Sequence, residues 1–254
     1  MTNMRNTSVS KITERLPEQG PIAYFLVKWL LISLLVGIPI GSLSAFFLVS
    51  LDWVTQYREN QLWIVALLPV GGFLIGWVYH RFGKDVVAGN NQLLMAWYRP
   101  DQKIPFKMAP MVLGGTLLTH LLGGSAGREG TAVQMGGAVA DQVTRFFRFH
   151  PSERKMLVVM GISAGFASVF GTPLAGAIFA IEVLVLGRMR YEALLPSLMA
   201  ALIADTTCGL WEVSHTHYYI REVPAFTLIN FGLTVVAGII FGLAALLFAK
   251  STQF

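Results

Sequence analysis

The chain has 254 residues, of which 54% are hydrophobic and only 13% charged, with a mean hydropathy of +0.60. Charged residues make up about 25% of a typical water-soluble globule, so this composition excludes one and describes an integral membrane protein. The formal net charge of +5 does not point to a nucleic-acid partner, because the lysines and arginines are spread between apolar runs and not gathered on one polar domain. The single cysteine, Cys208, excludes an intrachain disulfide framework.

In chain order, residues 1–20 ("MTNMRNTSVSKITERLPEQG") are too long and too charged for a simple signal peptide. They are expected to form a cytoplasmic tail that stays attached to a membrane domain covering residues 21–254. Apolar runs then follow at 22–51, 62–79, 109–126, 131–147, 156–186, 193–211 and 223–249. A helical span needs about 20 residues, so these predict a polytopic all-α bundle. Arg5, Lys11 and Arg15 precede the first run. Arg81, Lys84, Arg99, Lys103 and Lys107 lie between the second and third, Arg145, Arg148, Arg154 and Lys155 follow the fourth, and Arg188 and Arg190 follow the fifth. Only Arg58 and Arg221 fall in the loops left for the other side. That asymmetry places the N-terminus in the cytoplasm.

The run 156–186 breaks the alternation, since both of its ends lie in basic, cytoplasm-like loops. It is interrupted at Gly171-Thr172-Pro173, which predicts two half-helices that enter and return. Each half, about 15 residues, would reach about 22 Å of a roughly 30 Å core. Proline suits the start of the second half, where its missing N–H is not needed. Broken helices at membrane depth are tolerated where they line a cavity, and in transporters their positive ends face an anionic substrate. Gly37-x-x-x-Gly41, Gly72-x-x-x-Gly76, Gly161-x-x-x-Gly165 and Gly238-x-x-x-Gly242 are read as ordinary helix-packing contacts for the most part.

The stretch "GGSAGREGTAVQMGG" from Gly123 to Gly137 sets a carboxylate among glycines. A carboxylate at the bilayer centre costs about 2.5 to 3.5 kcal/mol on insertion scales, so Glu129 must be neutral, paired or facing water. Gly127 and Gly130 leave backbone amides approachable, and a helix starting near Thr131 attracts an anion at its N-terminus. An external anion and the Glu129 carboxylate would compete for that position. Charged, Glu129 occupies the anion site; protonated, it leaves, which makes it a gate and a proton carrier together. The plainer alternative is a Glu129–Arg128 ion pair that only orients the loop.

"GREGTAVQMGG", followed by "SAGFASVFGTPLAGAIFAIEVL" from Ser163 to Leu184, resembles the CLC family of chloride channels and anion/proton antiporters. The resemblance implies a helical membrane fold with broken, re-entrant half-helices, built in that family as two inverted repeats, and homodimeric assembly in a cell membrane, here a bacterial inner membrane. Glu129 resembles the external gating glutamate, and Gly127, Arg128, Gly130 and Thr131 resemble the loop that presents anion-binding amides. Thr131 stands in place of the usual proline. In "VVAGNNQLL", around Gly89, Asn90 occupies the place of an anion-coordinating serine and Asn91 that of a glycine. These departures resemble the fluoride-exporting branch, as does Val183 at the position of the cytoplasmic proton-relay glutamate, one residue after Glu182, which is itself a candidate relay. The implied function is fluoride/proton antiport, with chloride transport as the alternative; fluoride or chloride, protons and the lipid bilayer are the implied partners. No cofactor, metal or enzymatic activity is implied.

Without the resemblance, Asn90-Asn91 after glycine reads as turn chemistry. Glu182 would otherwise pair with Arg188 or Arg190, Asp141 with Arg145 four residues on, and His120 would pack as a satisfied core histidine. "GGSAG" also matches G-x-S-x-G, with Asp205 and His215 or His217 downstream; an intramembrane serine hydrolase would need a strand before Ser125. The second-half motif G-x-F-x-P and its tyrosine do not follow the last run. The resemblance therefore covers the first of the two repeats, and residues 1–254 by themselves are expected to be inactive.

Overall fold

The structure is a computed structural model that describes residues 19–99, 102–184, 191–213, 219–220 and 222–251. Almost all of the tail 1–20, together with Arg188, Arg190, His215 and His217, lies outside the described residues. The chain divides into two compact units, residues 1–215 and 216–254. Every described element is helical.

In the first unit, α1 runs Gln19–Asn60 and contains Pro39. A 3-10 turn, Leu62–Leu67, leads into α2, Leu68–Phe82. Then come α3 (Asn90–Tyr98), α4 (Met108–Leu121), α5 (Arg128–Phe146), α6 (Pro151–Phe170), α7 (Pro173–Leu184) and, after a 3-10 turn at Tyr191–Ala193, α8 (Leu194–Leu210). The second unit holds α9, Leu228–Ser251. By length and apolarity Ile22–Asn60, Leu62–Phe82 and Leu228–Ser251 can each cross a membrane.

The predicted break is present. α6 ends at Gly171, whose left-handed backbone (φ 67°, ψ 31°) suits a residue without a side chain. The N–H of Gly171 donates to Ala167 O at 2.8 Å, and Pro173 opens α7. α7 folds back on α6. A Cβ on Gly176 would stand 3.0 Å from Ser163 O, and Phe166 stacks on Phe179 with ring centroids 4.5 Å apart.

The first half is longer than its apolar run suggests, with 20 residues and so about 30 Å of rise. The extra turns come from the polar "PSERK", which Pro151 starts and a capping box fixes: the His150 ring accepts from Ser152 N–H while Glu153 accepts from His150 N–H. Lys28 of α1 closes on Glu153 from the other side.

α6 is the axis of the unit, with Leu157–Gly165 and Ala167–Val169 all buried. A helix apolar on every side must be surrounded. On one side Trp29, Ile32, Val36 and Ile40 of α1 pack with Leu157, Met160 and Ala164 and with Ala200 and Ala204 of α8. On the other, Phe47, Leu93, Met108, Met135, Ile162 and Ile181 form the larger core cluster.

Of the glycine pairs, Gly37 and Gly41 lie tight against α8, whereas Gly72 and Gly76 face open space. Gly161 and Gly165 cross α5 at backbone contact: a Cβ on Gly165 would stand 2.3 Å from Ala132 O and one on Gly136 2.1 Å from Gly161 O. Ala132, Gly136 and Ala140 thus form a small-residue stripe on α5 that matches the glycines of α6.

Candidate anion-binding site

α5 is held along its length and left open at its start. Midway, the small-residue crossing fixes it to α6. On its α4 side the Thr131 and Thr116 hydroxyls share a 2.6 Å hydrogen bond, both buried. At its C-terminal end Asp141, fully buried, accepts from Arg145 Nη2 at 2.6 Å, Arg154 Nε at 2.6 Å and the Ile104 N–H at 3.0 Å. The same arginines donate to Ile104 O (2.9 Å) and Gln102 O (2.7 Å), tying the segment before α4 to the foot of α5 and the start of α6. Pairing of Asp141 with Arg145 follows the four-residue spacing; Arg154 is a second partner that the spacing does not indicate.

At the N-terminal end Gly127 precedes the first helical residue, and no side chain caps the helix. The first N–H groups of an α-helix have no intrahelical partner, so they stay available to an anion. Glu129, in this first turn, is exposed and folds back over the helix start: a Cβ on Gly127 would stand 2.7 Å from its Oε2. Among the described residues neither Glu129 nor Arg128 enters a hydrogen bond or ion pair, so the Glu129–Arg128 pair is not formed. Thr131 turns its side chain to Thr116 and is 2% exposed. Its hydroxyl is therefore already engaged.

The start of α3 meets the start of α5 here. Gly89 has φ 55° and ψ −126°, a conformation that glycine adopts without penalty. The Asn90 Oδ1 accepts from Gln134 Nε2 at 3.1 Å, and a Cβ on Gly130 would stand 3.9 Å from Asn90 Nδ2. Asn91 donates its N–H to Ala88 O at 3.0 Å and is exposed, so it closes the turn. The structure therefore gathers Gly89, Asn90, Gly127, Glu129 and Gly130 around two helix starts. Gln134 is the member that the sequence reading missed; its signal was its spacing of four from Gly130, which places both on one face of α5.

Glu182 is exposed on α7, away from this cluster in the sequence. His120 Nδ1 lies 2.9 Å from Thr116 O, a satisfied packing residue. Ser125 follows the helix α4 in a loop, and no strand precedes it among the described residues, so the serine-hydrolase arrangement lacks its strand-to-helix turn.

A sequence model described as "Voltage gated chloride channel" matches residues 71–254. The chain belongs to the voltage gated chloride channel family. It is 53% identical over 239 residues to the "Chloride/fluoride channel protein" of Pseudomonas syringae pv. tomato, covering 94% of this chain and 53% of that protein. It is 29% identical over 240 residues to the "H(+)/Cl(-) exchange transporter ClcA" of Vibrio cholerae, covering 86% of this chain and 50% of the other. A crystal structure of "a CLC-type fluoride/proton antiporter" superposes with a TM-score of 0.80 at 34% identity, covering 86% of this chain and 55% of that one. The chain spans about half the length of the relatives it matches. With the family, the all-helical membrane fold with its broken helix is established.

Proposed function

We propose that the protein exchanges fluoride for protons across a bacterial cell membrane and so exports fluoride, working as a homodimer with its N-terminus in the cytoplasm. The observation that carries this reading is the position of the Asn90 amide beside the uncapped start of α5, with the Glu129 carboxylate, unpaired among the described residues, folded over the same helix start. The name of the superposed antiporter supports fluoride as the ion, and that of the similar Pseudomonas syringae protein gives fluoride beside chloride.

Fluoride is small and strongly hydrated, and it leaves water only for close, strong donors. The side-chain amide of Asn90 offers two N–H donors where a serine hydroxyl offers one. The backbone amides at Gly127 to Gly130 add to the same field. Glu129 serves as gate and proton carrier: as a carboxylate it takes the anion position at the helix start, and once protonated it gives up that position. Glu182, exposed on α7, is a candidate for passing protons on the cytoplasmic side.

The test is ion flux from vesicles carrying the protein expressed from its complete gene. Fluoride efflux, read with a fluoride electrode, is expected to drive protons the opposite way and to exceed chloride efflux severalfold. Chloride moving as fast as fluoride would make the protein a chloride transporter instead.

A further inference from the structure

We infer that Gln134 is a positioning residue for anion selectivity: its Nε2 holds the Oδ1 of Asn90 and thereby turns the Asn90 N–H donors toward the anion. The inference rests on the reading of Asn90 given under the proposed function. An asparagine amide has two faces of opposite electrostatic sense, an oxygen that repels an anion and an NH2 group that attracts it, with nearly the same shape. An exposed Asn90 could present either face. What settles the choice is whichever neighbour engages one of the two.

That neighbour is Gln134, 44 residues further along the chain, whose Nε2 donates to Asn90 Oδ1 at 3.1 Å. With the oxygen so engaged, Asn90 Nδ2 is the group near the first turn of α5, 3.9 Å from where a Cβ on Gly130 would stand. The platform for this contact is rigid. Gln134 lies between the Thr131–Thr116 clasp and the Gly136 crossing with α6, so α5 cannot shift to release it without disturbing both. Gly89 lies against the same contact: a Cβ there would stand 3.3 Å from Gln134 Nε2.

The experiment measures fluoride and chloride flux against ion concentration in vesicles carrying the protein expressed from its complete gene. It compares the wild type with Gln134→Met, Gln134→Glu, Asn90→Ser and the double variant Asn90→Ser/Gln134→Met. Methionine keeps the length and removes the donor. Freed to turn, Asn90 is expected to raise the fluoride concentration at half-maximal flux about tenfold, the scale of one hydrogen bond to a charged group, with the maximal rate and the chloride dependence little changed. Glutamate keeps the shape but can only accept, so it draws the NH2 of Asn90 to itself and faces Oδ1 to the anion; its negative charge repels both halides, so the expected reading is a fluoride shift larger than the chloride shift. It also carries the test if the methionine variant does not fold. In the Asn90→Ser background, Gln134→Met is expected to add nothing.

Three outcomes overturn the inference while the proposed function stands: an unchanged fluoride half-saturation in both Gln134 variants, an equal shift in the Asn90→Ser background, or a fluoride preference that survives Asn90→Ser. A wild type with no preference for fluoride sinks the proposed function, and the positioning role with it.

Discussion

Both ends of α5 carry a carboxylate, and their surroundings are opposite. Asp141, near the C-terminal end, is fully buried and held by two guanidinium groups and a backbone N–H. Glu129, twelve residues earlier and so about 18 Å away along the helix, is exposed and has no partner among the described residues. A carboxylate satisfied on every side holds structure, since any movement strips it of hydrogen bonds it cannot replace. A carboxylate with no partner at an open helix start is free to come and go. The middle of the helix, locked to α6 through Ala132, Gly136, Gly161 and Gly165, lets one end be rigid while the other stays available.

The largest expected effect comes from breaking the rigid end. Asp141→Ala leaves Arg145 and Arg154 facing each other without their shared anion and the Ile104 N–H without its acceptor. Removing one partner from a buried ion pair costs about 3–5 kcal/mol, a large part of the stability of most domains. The variant is expected to be lost from the membrane fraction or to melt far below the wild type in detergent. Glu129→Gln at the open end should melt within a degree or two of the wild type, and equal losses at the two ends would erase the contrast.

The functional contrast is the next largest. Glu129→Gln cannot release or take up a proton at that position, so proton movement coupled to anion flux is expected to disappear while passive anion flux persists. Simultaneous recording of anion and pH in vesicles checks this. Normal proton coupling in the variant would leave Glu129 as a loop residue only.

Much of this contrast is visible in the amino-acid sequence, because the signals are local. Glycines around Arg128 and Glu129, the Gly171-Thr172-Pro173 break and the Asp141/Arg145 spacing all sit within a few residues of what they act on. The contacts that complete the picture join distant segments. Arg154 reaches Asp141 across the turn between α5 and α6, and Gln134 reaches Asn90 from 44 residues away. α3, nine residues between basic loops, is too short to register as a span. Ala132, Gly136 and Ala140 are unremarkable until Gly161 and Gly165 are set against them. The start of α6 was hidden because "PSERK" is polar and its cap is a histidine, which is not among the preferred capping residues.

Thr131 sharpens the boundary between the two ends. Its side chain bonds Thr116 on α4, so its hydroxyl is already engaged. Thr131→Val leaves the buried Thr116 hydroxyl without this partner, a cost of about 1–3 kcal/mol, yet the fluoride-to-chloride flux ratio is expected to hold. Replacing both threonines by valine should recover most of the stability, since removing both partners of a hydrogen bond together is nearly neutral. A flux ratio that changes with Thr131→Val would give the hydroxyl a direct part in anion binding.

The smallest effect belongs to a carboxylate at neither end of α5. Asp85, in the loop after α2, pairs with Lys107 at 2.5 Å, both about half exposed. The hydrogen bond from Lys107 holds the Asp85 carboxyl below its ordinary range, against the opposing effect of burial. A carboxyl whose folded-state value is lowered adds stability above its ordinary value, near 4, and loses that contribution as the pH falls through the lowered one. Because the pair is exposed, solvent and salt screen it, and surface pairs contribute at most about 1 kcal/mol. Asp85→Asn should therefore lower the melting temperature slightly at pH 7, by less at high salt, and not at all at a pH low enough to protonate the wild-type carboxyl. Asp141→Ala should stay severe at any salt concentration, because Asp141 is fully buried and its partner Arg154 only 13% exposed, so screening reaches that pair far less. A salt dependence shared by both variants would mean that water and ions reach Asp141, and the foot of α5 would then be as open as its start.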